Sequence, residues 1–304
     1  MRFSVWPSPS QPWADTLEVA RHADATGWDG VYFADHFMGD GETAATEQPS
    51  PLLEATAALT ALAQATERVR LGSLVFGITY RHPAVLAKWA ATVDHISDGR
   101  LLLGVGAGWQ ENEHEQYGIE LGPPPERIDR FVEALDILTG LLRSPTTTVQ
   151  GQHYRVTEAL AEPKPVQQPL PLLIGAKGDR MLGVIARYAD EWNLWGLAKV
   201  VAERAAVLDA ACARIDRDPQ TIARSCQALW FLQDDQAKAD ALVERVAPQA
   251  AIGGPVGRLQ DAIGAWAAAG VDEVIVPDFT LGTGQQRLDR LDLIREQVAA
   301  PFVR

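Results

Sequence analysis

Cysteine is scarce in this chain: 304 residues contain two, Cys212 and Cys226. They fall in a predicted helix and a predicted strand and match no metal-ligand spacing, so they read as packing residues of a reducing compartment. Long apolar runs are missing as well. No eighteen consecutive residues are apolar, and no bilayer-spanning helix is expected. The opening Met1-Arg2-Phe3-Ser4-Val5-Trp6-Pro7 lacks the apolar stretch and small-residue cleavage site of a signal peptide. The expected location is therefore cytoplasmic. Positive charge is in deficit, with 27 Lys and Arg against 40 Asp and Glu and a formal net charge of −13. Nucleic acid and anionic lipid both need a basic face, so neither is an expected partner. An isolated cluster of cations stands out against such a background.

Several catalytic signatures are also missing. There is no Gly-x-Ser-x-Gly elbow and no reactive-cysteine context. His114-Glu115-Gln116-Tyr117 lacks the second histidine of a zinc protease motif, and no metal site is expected. Gly104-Val105-Gly106-Ala107-Gly108-Trp109 fails the dinucleotide-binding fingerprint, because Trp109 stands where its third glycine is required. The segment then runs into Gln110-Glu111-Asn112-Glu113-His114-Glu115, too polar to open an apolar helix. These glycines read instead as letting the backbone approach a flat ring closely.

What is present is a rhythm of short β-branched runs alternating with helical patterns, the signature of a parallel sheet. Strands are expected at 3–6, 30–34, 70–76, 101–105, 172–175, 191–195, 227–231 and 273–276. Eight such runs fit a closed barrel better than an open doubly wound sheet. Gly27 and Gly270 stop helices just before strands, and Pro83 suits a first helical turn. Ile128, Phe131, Leu135, Leu138 and Leu142 repeat at helical spacing. The rhythm breaks over residues 37–49, a Gly-, Asp-, Glu- and Thr-rich loop, and over 144–169, read as a hairpin with an extended return. No linker, repeat or low-complexity tail divides the chain, so one domain is expected over 1–304.

In parallel barrels the reactive groups stand at the carboxyl ends of strands. Asp35 and His36 emerge there from an apolar strand, which is costly unless they face a polar cavity. His36 suits proton exchange near neutrality; a plain loop cap is the other reading, and the residues alone leave both open. Arg81 and His82 lie at an expected helix N-terminus, as an anion site or as ordinary loop polarity. Gly175-Ala176-Lys177-Gly178-Asp179-Arg180 opens a helix and carries local positive charge, so it reads as a phosphate loop rather than a tight turn capped by Asp179. Alternation sends Trp192 and Asn193 to opposite faces. Trp13, Trp28, Trp89, Trp230 and Trp266 are expected to pack in the core or between helices.

Taken in order, several segments resemble the luciferase-like flavin and deazaflavin oxidoreductases, closest to those that use coenzyme F420. They are residues 27–36 (Gly-Trp-Asp-Gly-Val-Tyr-Phe-Ala-Asp-His), 68–73, 80–88, 97–109, 113–118 and 189–193. The resemblance implies a (β/α)8 TIM barrel with insertions after strands 2, 3 and 4, often a homodimer. It implies an F420-dependent oxidoreductase acting on a small-molecule substrate; an FMN-dependent monooxygenase is the alternative, and a non-catalytic cofactor carrier a lesser one. By position, Asp35 and His36 would flank the ring, His36 as the catalytic group, while Ser73, Leu74 and Val75 would back it. Asn112 would touch the cofactor's polar side chain. Gly175, Ala176, Lys177, Gly178 and Asp179 would hold its phosphate. A non-proline cis peptide is expected at Ser73–Leu74. The sugar-phosphate dehydrogenase branch has a glutamate where this chain has Trp109, so glucose 6-phosphate oxidation is not expected.

Overall fold

Eight parallel strands close into a ring in the computed structural model, which describes residues 1–303. In chain order the strands are β1 (Arg2–Trp6), β2 (Gly30–Phe33), β3 (Arg70–Ser73), β4 (Phe76–Gly77), β5 (Leu101–Gly106), β6 (Thr147–Gln150) and β7 (Arg155–Ala159). They continue as β8 (Leu172–Gly175), β9 (Glu191–Trp195), β10 (Ala223–Gln227), β11 (Leu229–Leu232), β12 (Ala251–Gly254) and β13 (Glu273–Pro277). The ring runs β1, β2, β3, β5, β8, β9, β10, β13 and back to β1. The helices are α1 (Trp13–Ala25), α2 (Ala55–Ala65), α3 (Pro83–Ile96), α4 (Glu111–Tyr117) and α5 (Pro124–Arg143), then α6 (Asp179–Tyr188), α7 (Ala198–Ala213), α8 (Gln236–Arg245), α9 (Val256–Ala268) and α10 (Gly284–Leu293). This is the expected (β/α)8 barrel.

Two compact units make up the chain. The first comprises Met1–Ser8, Trp13–Tyr32 and, from Ala176 on, the described residues through 303. Within it, Gly27 (φ +84) and Gly270 (φ +81) end α1 and α9 in the left-handed conformation that glycine alone adopts freely. Trp28, Trp192, Trp230 and Trp266 are all buried, and Cys212 and Cys226 are buried free thiols. One expectation needs correcting here. The run 227–231 is not a single strand: β10 ends at Gln227, and β11 leaves the ring to pair in parallel with β12, which the sequence pattern did not suggest. Leu229, Phe231 and Ala251 pack there with Trp195, Leu242 and Val243, and this apolar cluster holds the departing strand.

The second unit comprises Pro9–Pro12 and Phe33–Gly175. Pro83 opens α3, and the His82 side chain caps it by accepting from Ala84 N. The expected stripe on α5 is buried at Phe131, Leu135, Leu138 and Leu142, with Ile128 half-buried. The irregular stretches fall where expected, after β2, around β4, and between β5 and β8, where α4, α5 and an antiparallel hairpin of β6 and β7 are inserted. The Glu133 carboxylate ties the hairpin turn by accepting from the backbone of Gln152, His153 and Tyr154.

The bulge after β3 corrects a further expectation. The non-proline cis peptide is Leu74–Val75, one bond later than expected. Leu74 N still donates to Phe33 O at 2.8 Å, so the ladder runs on through that residue and departs only after it. The glycines of β5 make room for this bulge. A side chain at Gly104 would overlap Ser73 O, and one at Gly106 would lie 2.8 Å from a Val75 methyl.

Candidate active site

The carboxyl end of β2 delivers Asp35 and His36 into the second unit, and their fates differ. Asp35 is buried. Its carboxylate accepts from Gly77 N at 3.1 Å and takes the Arg81 guanidinium in a bidentate pair at 2.7 and 2.9 Å. Glu54 binds the same guanidinium, which lies over the rings of Phe37 and Phe76. Burial pushes the Asp35 carboxyl up against the pull of Arg81. Burial also opposes the Arg81 charge, but the hydrogen bonds to Asp35 and Glu54 outweigh it and raise the pKa of Arg81. The two-point geometry is that of an ionised pair. Arg81 is thus spent internally and is not the anion site its position suggested.

His36 stays within reach of solvent, its side chain 24% exposed. Its Nδ1 lies 2.8 Å from Glu113 Oε1. Glu113 is fully buried; Oε2 accepts from Phe37 N at 2.7 Å, and Oε1 also receives the Tyr80 hydroxyl. Burial would raise the Glu113 carboxyl, but the hydrogen bonds from His36, Tyr80 and Phe37 outweigh it and hold it below its ordinary value. Burial and the neighbouring carboxylate push the Tyr80 phenol up, so it keeps its proton and donates it. Trp109 meets the His36 ring edge-on at 5.5 Å between centroids while remaining 58% exposed. Beside this group, the ring of His114 lies 4.7 Å from that of Tyr80. His114 Nδ1 faces the carbonyl of Gln110, which can only accept, so that nitrogen carries the proton and Nε2 accepts from Thr79. Burial lowers its pKa, consistent with a neutral ring.

Of the residues expected to back a ring, Ser73 is buried and exchanges two hydrogen bonds with Gly104; Leu74 is buried; Val75 is half-buried. Gly175 is half-buried, with space for a side chain limited by Val75 at 3.3 Å. Asn112 Nδ2 donates to the carbonyls of Gly39 and Glu42, while its Oδ1 is buried with no partner among the described residues. Asn112 therefore clasps the 39–42 loop with its donor and retains one acceptor. The structure brings Asp35, His36, Ser73, Leu74, Val75, Asn112 and Gly175 into the same unit.

Ala176, Lys177, Gly178 and Asp179 belong to the other unit. Ala176 is committed at both backbone groups, its N–H to Asn193 O and its carbonyl to the Trp192 indole. Gly178 is the N-cap of α6; among the described residues no side chain closes the end, and a side chain there would meet nothing within 4 Å. Lys177 and Arg180 are exposed around it. Asp179 pairs with Arg204 at 2.7 Å.

Sequence reasoning passed over Glu113, Tyr80 and Glu54. Glu113 and Tyr80 lie in segments that carry the family resemblance, and that was the only signal for them. Among the described residues no group of His, Cys, Asp and Glu could hold a metal ion.

The family profile described as luciferase-like monooxygenase matches residues 1–300. An F420-dependent glucose-6-phosphate dehydrogenase of Microbacterium testaceum is 36% identical over 180 residues, covering 58% of this chain and 51% of that protein. The chain thus spans about half the length of the curated relatives it matches. Among solved structures, an F420-dependent secondary alcohol dehydrogenase in complex with an F420–acetone adduct superposes with a TM-score of 0.84 at 19% identity, covering 98% of both chains. A monooxygenase from Streptomyces bottropensis superposes with a TM-score of 0.81 at 19% identity over 100% of both.

Proposed function

The chain belongs to the luciferase-like monooxygenase family, and we propose that it is an oxidoreductase that uses coenzyme F420 to move hydride to or from a small organic substrate. His36 is the group that holds and moves the accompanying proton. The observation that carries this reading is the pairing of a partly exposed imidazole with a fully buried carboxylate, Glu113. Such a pair orients a ring and leaves its other nitrogen available for acid–base work.

Each unit, taken by itself, holds residues that suit one part of the cofactor. Val75 at the β3 bulge is a half-buried apolar surface suited to back a ring. The uncapped, open end of α6 at Gly178, with Lys177 and Arg180, suits a phosphate. When bound, the deazaflavin supplies a hydride acceptor or donor. The chain supplies the proton relay at His36 and a fixed surface that excludes water.

Relatives named as F420-dependent enzymes support F420 over FMN. Several of them are named glucose-6-phosphate dehydrogenases. We propose a different substrate, because the exposed indole of Trp109 beside His36 offers an apolar face. We further propose that residues 1–304 act as one barrel domain, as a homodimer in the cytoplasm. Neither nucleic acid nor a membrane is proposed as a partner; the net charge of −13 supports that, and among the described residues no helix is long and apolar enough to cross a membrane.

Parallel fluorescence titrations with F420 and FMN test the cofactor, followed by turnover assays with secondary alcohols, ketones and glucose 6-phosphate. Saturable F420 binding, with reduction or reoxidation by an alcohol or ketone, is expected. Tight FMN binding without F420 binding overturns the cofactor, and turnover of glucose 6-phosphate alone overturns the substrate.

A further inference from the structure

We propose that Glu113 is the positioning residue of His36: it fixes the neutral imidazole with its proton on Nδ1 and leaves Nε2 as the basic atom, while Tyr80 secures the carboxylate. The catalytic consequence rests on the function proposed above; the tautomer does not.

Every group around Glu113 has a fixed role. Phe37 N can only donate, and it holds Oε2 at 2.7 Å. The Tyr80 phenol, kept protonated by burial and by the carboxylate itself, donates to Oε1. An ionised carboxylate accepts only. The 2.8 Å contact between Oε1 and His36 Nδ1 is therefore an Nδ1–H donation. A neutral imidazole has one proton, so Nε2 carries the lone pair.

The charges packed nearby do not disturb this assignment. From the loop before α3, Arg81 is neutralised by Asp35 and Glu54. From α4, His114 stacks on Tyr80 with its own proton held by Gln110 O. Trp109 touches the His36 ring from the β5–α4 loop and does not titrate in this range. Among the described residues, no Lys or Arg is a hydrogen-bond partner of Glu113. When His36 takes a proton at Nε2, the resulting imidazolium sits beside a buried anion that was in place beforehand, so no solvent needs to reorganise. Glu113 remains ionised throughout.

Nitrogen-15 NMR of His36 in the cofactor-free protein, at a pH where the ring carries one proton, reads the tautomer directly. The wild-type ring is expected as Nδ1–H. In Glu113→Gln the amide oxygen can still accept from Phe37 N, which turns the amide N–H₂ toward Nδ1. The ring is then expected to flip to Nε2–H. With a turned-over substrate, kcat is expected to fall on the order of 10²–10⁴-fold, with the cofactor Kd changed less than about threefold. Tyr80→Phe retains the carboxylate and is expected to keep Nδ1–H, with kcat within about tenfold of wild type. A wild-type ring protonated on Nε2 overturns the proposal whether or not the variants fold. So does a Gln variant with unchanged tautomer, or one with flipped tautomer and unchanged kcat. If no substrate is turned over, the function proposed above fails alone, and the spectra still decide the tautomer.

Discussion

Arg81 holds Asp35 by two hydrogen bonds, 2.7 and 2.9 Å, in a pocket where the Asp35 side chain is sealed from water. The pair braces the end of β2 against the loop before α3, one residue before His36.

Arg81→Met leaves that carboxylate buried without its partner. A loss of about 3–5 kcal/mol is expected in urea unfolding at pH 7. The loss is expected to shrink in acid, where Asp35 protonates. An unchanged midpoint would mean that the pair contributes nothing.

His36→Ala removes the proposed proton relay but none of the surfaces proposed to hold the cofactor. The expected result is a kcat lower by about 10²–10⁴-fold with Kd for F420 nearly unchanged. Wild-type turnover in the purified variant would reduce His36 to a structural residue.

Gly178→Val places a branched side chain at the open end of α6, where the protein itself offers no obstacle. Binding of F420 is expected to weaken at least tenfold while thermal unfolding stays within a few degrees. Unchanged affinity would move the phosphate seat away from α6.

Gly104→Ala has the opposite profile, because the added carbon collides with the backbone carbonyl of Ser73. Neither strand can yield without disturbing the paired hydrogen bonds between Ser73 and Gly104. A destabilisation of about 1–3 kcal/mol is expected, read as a lower Tm before any cofactor is added.

Glu113 ties stability to pH. Its folded-state pKa is lowered, so its contribution is present above the unfolded-chain value and is lost as pH falls through the folded one. Wild type is therefore expected to exceed Glu113→Gln in urea midpoint at pH 7, and the gap should narrow progressively below about pH 4. A gap that is constant from pH 7 to pH 3 would assign the effect to shape rather than charge.

Much of the barrel was determined by sequence alone, because its signals are local. Apolar runs such as Leu101-Leu102-Leu103, helix stops at Gly27 and Gly270, and the stripe on α5 each act within a few residues. The position of His36 just past an apolar strand was legible for the same reason, because the run before it is a local signal. Tertiary structure decided the rest. The run 227–231 reads as one strand until pairing with Ala251–Gly254 draws its second half out of the ring. The bulge after β3 is placed by how far β2 keeps pairing, which put the cis bond one residue beyond its expected position. Glu113 stands in a run too polar to open an apolar helix, 77 residues from the histidine it holds. A carboxylate's role follows from which donors surround it once water is excluded, and only the folded chain brings Phe37 N, His36 and Tyr80 to the same two oxygens.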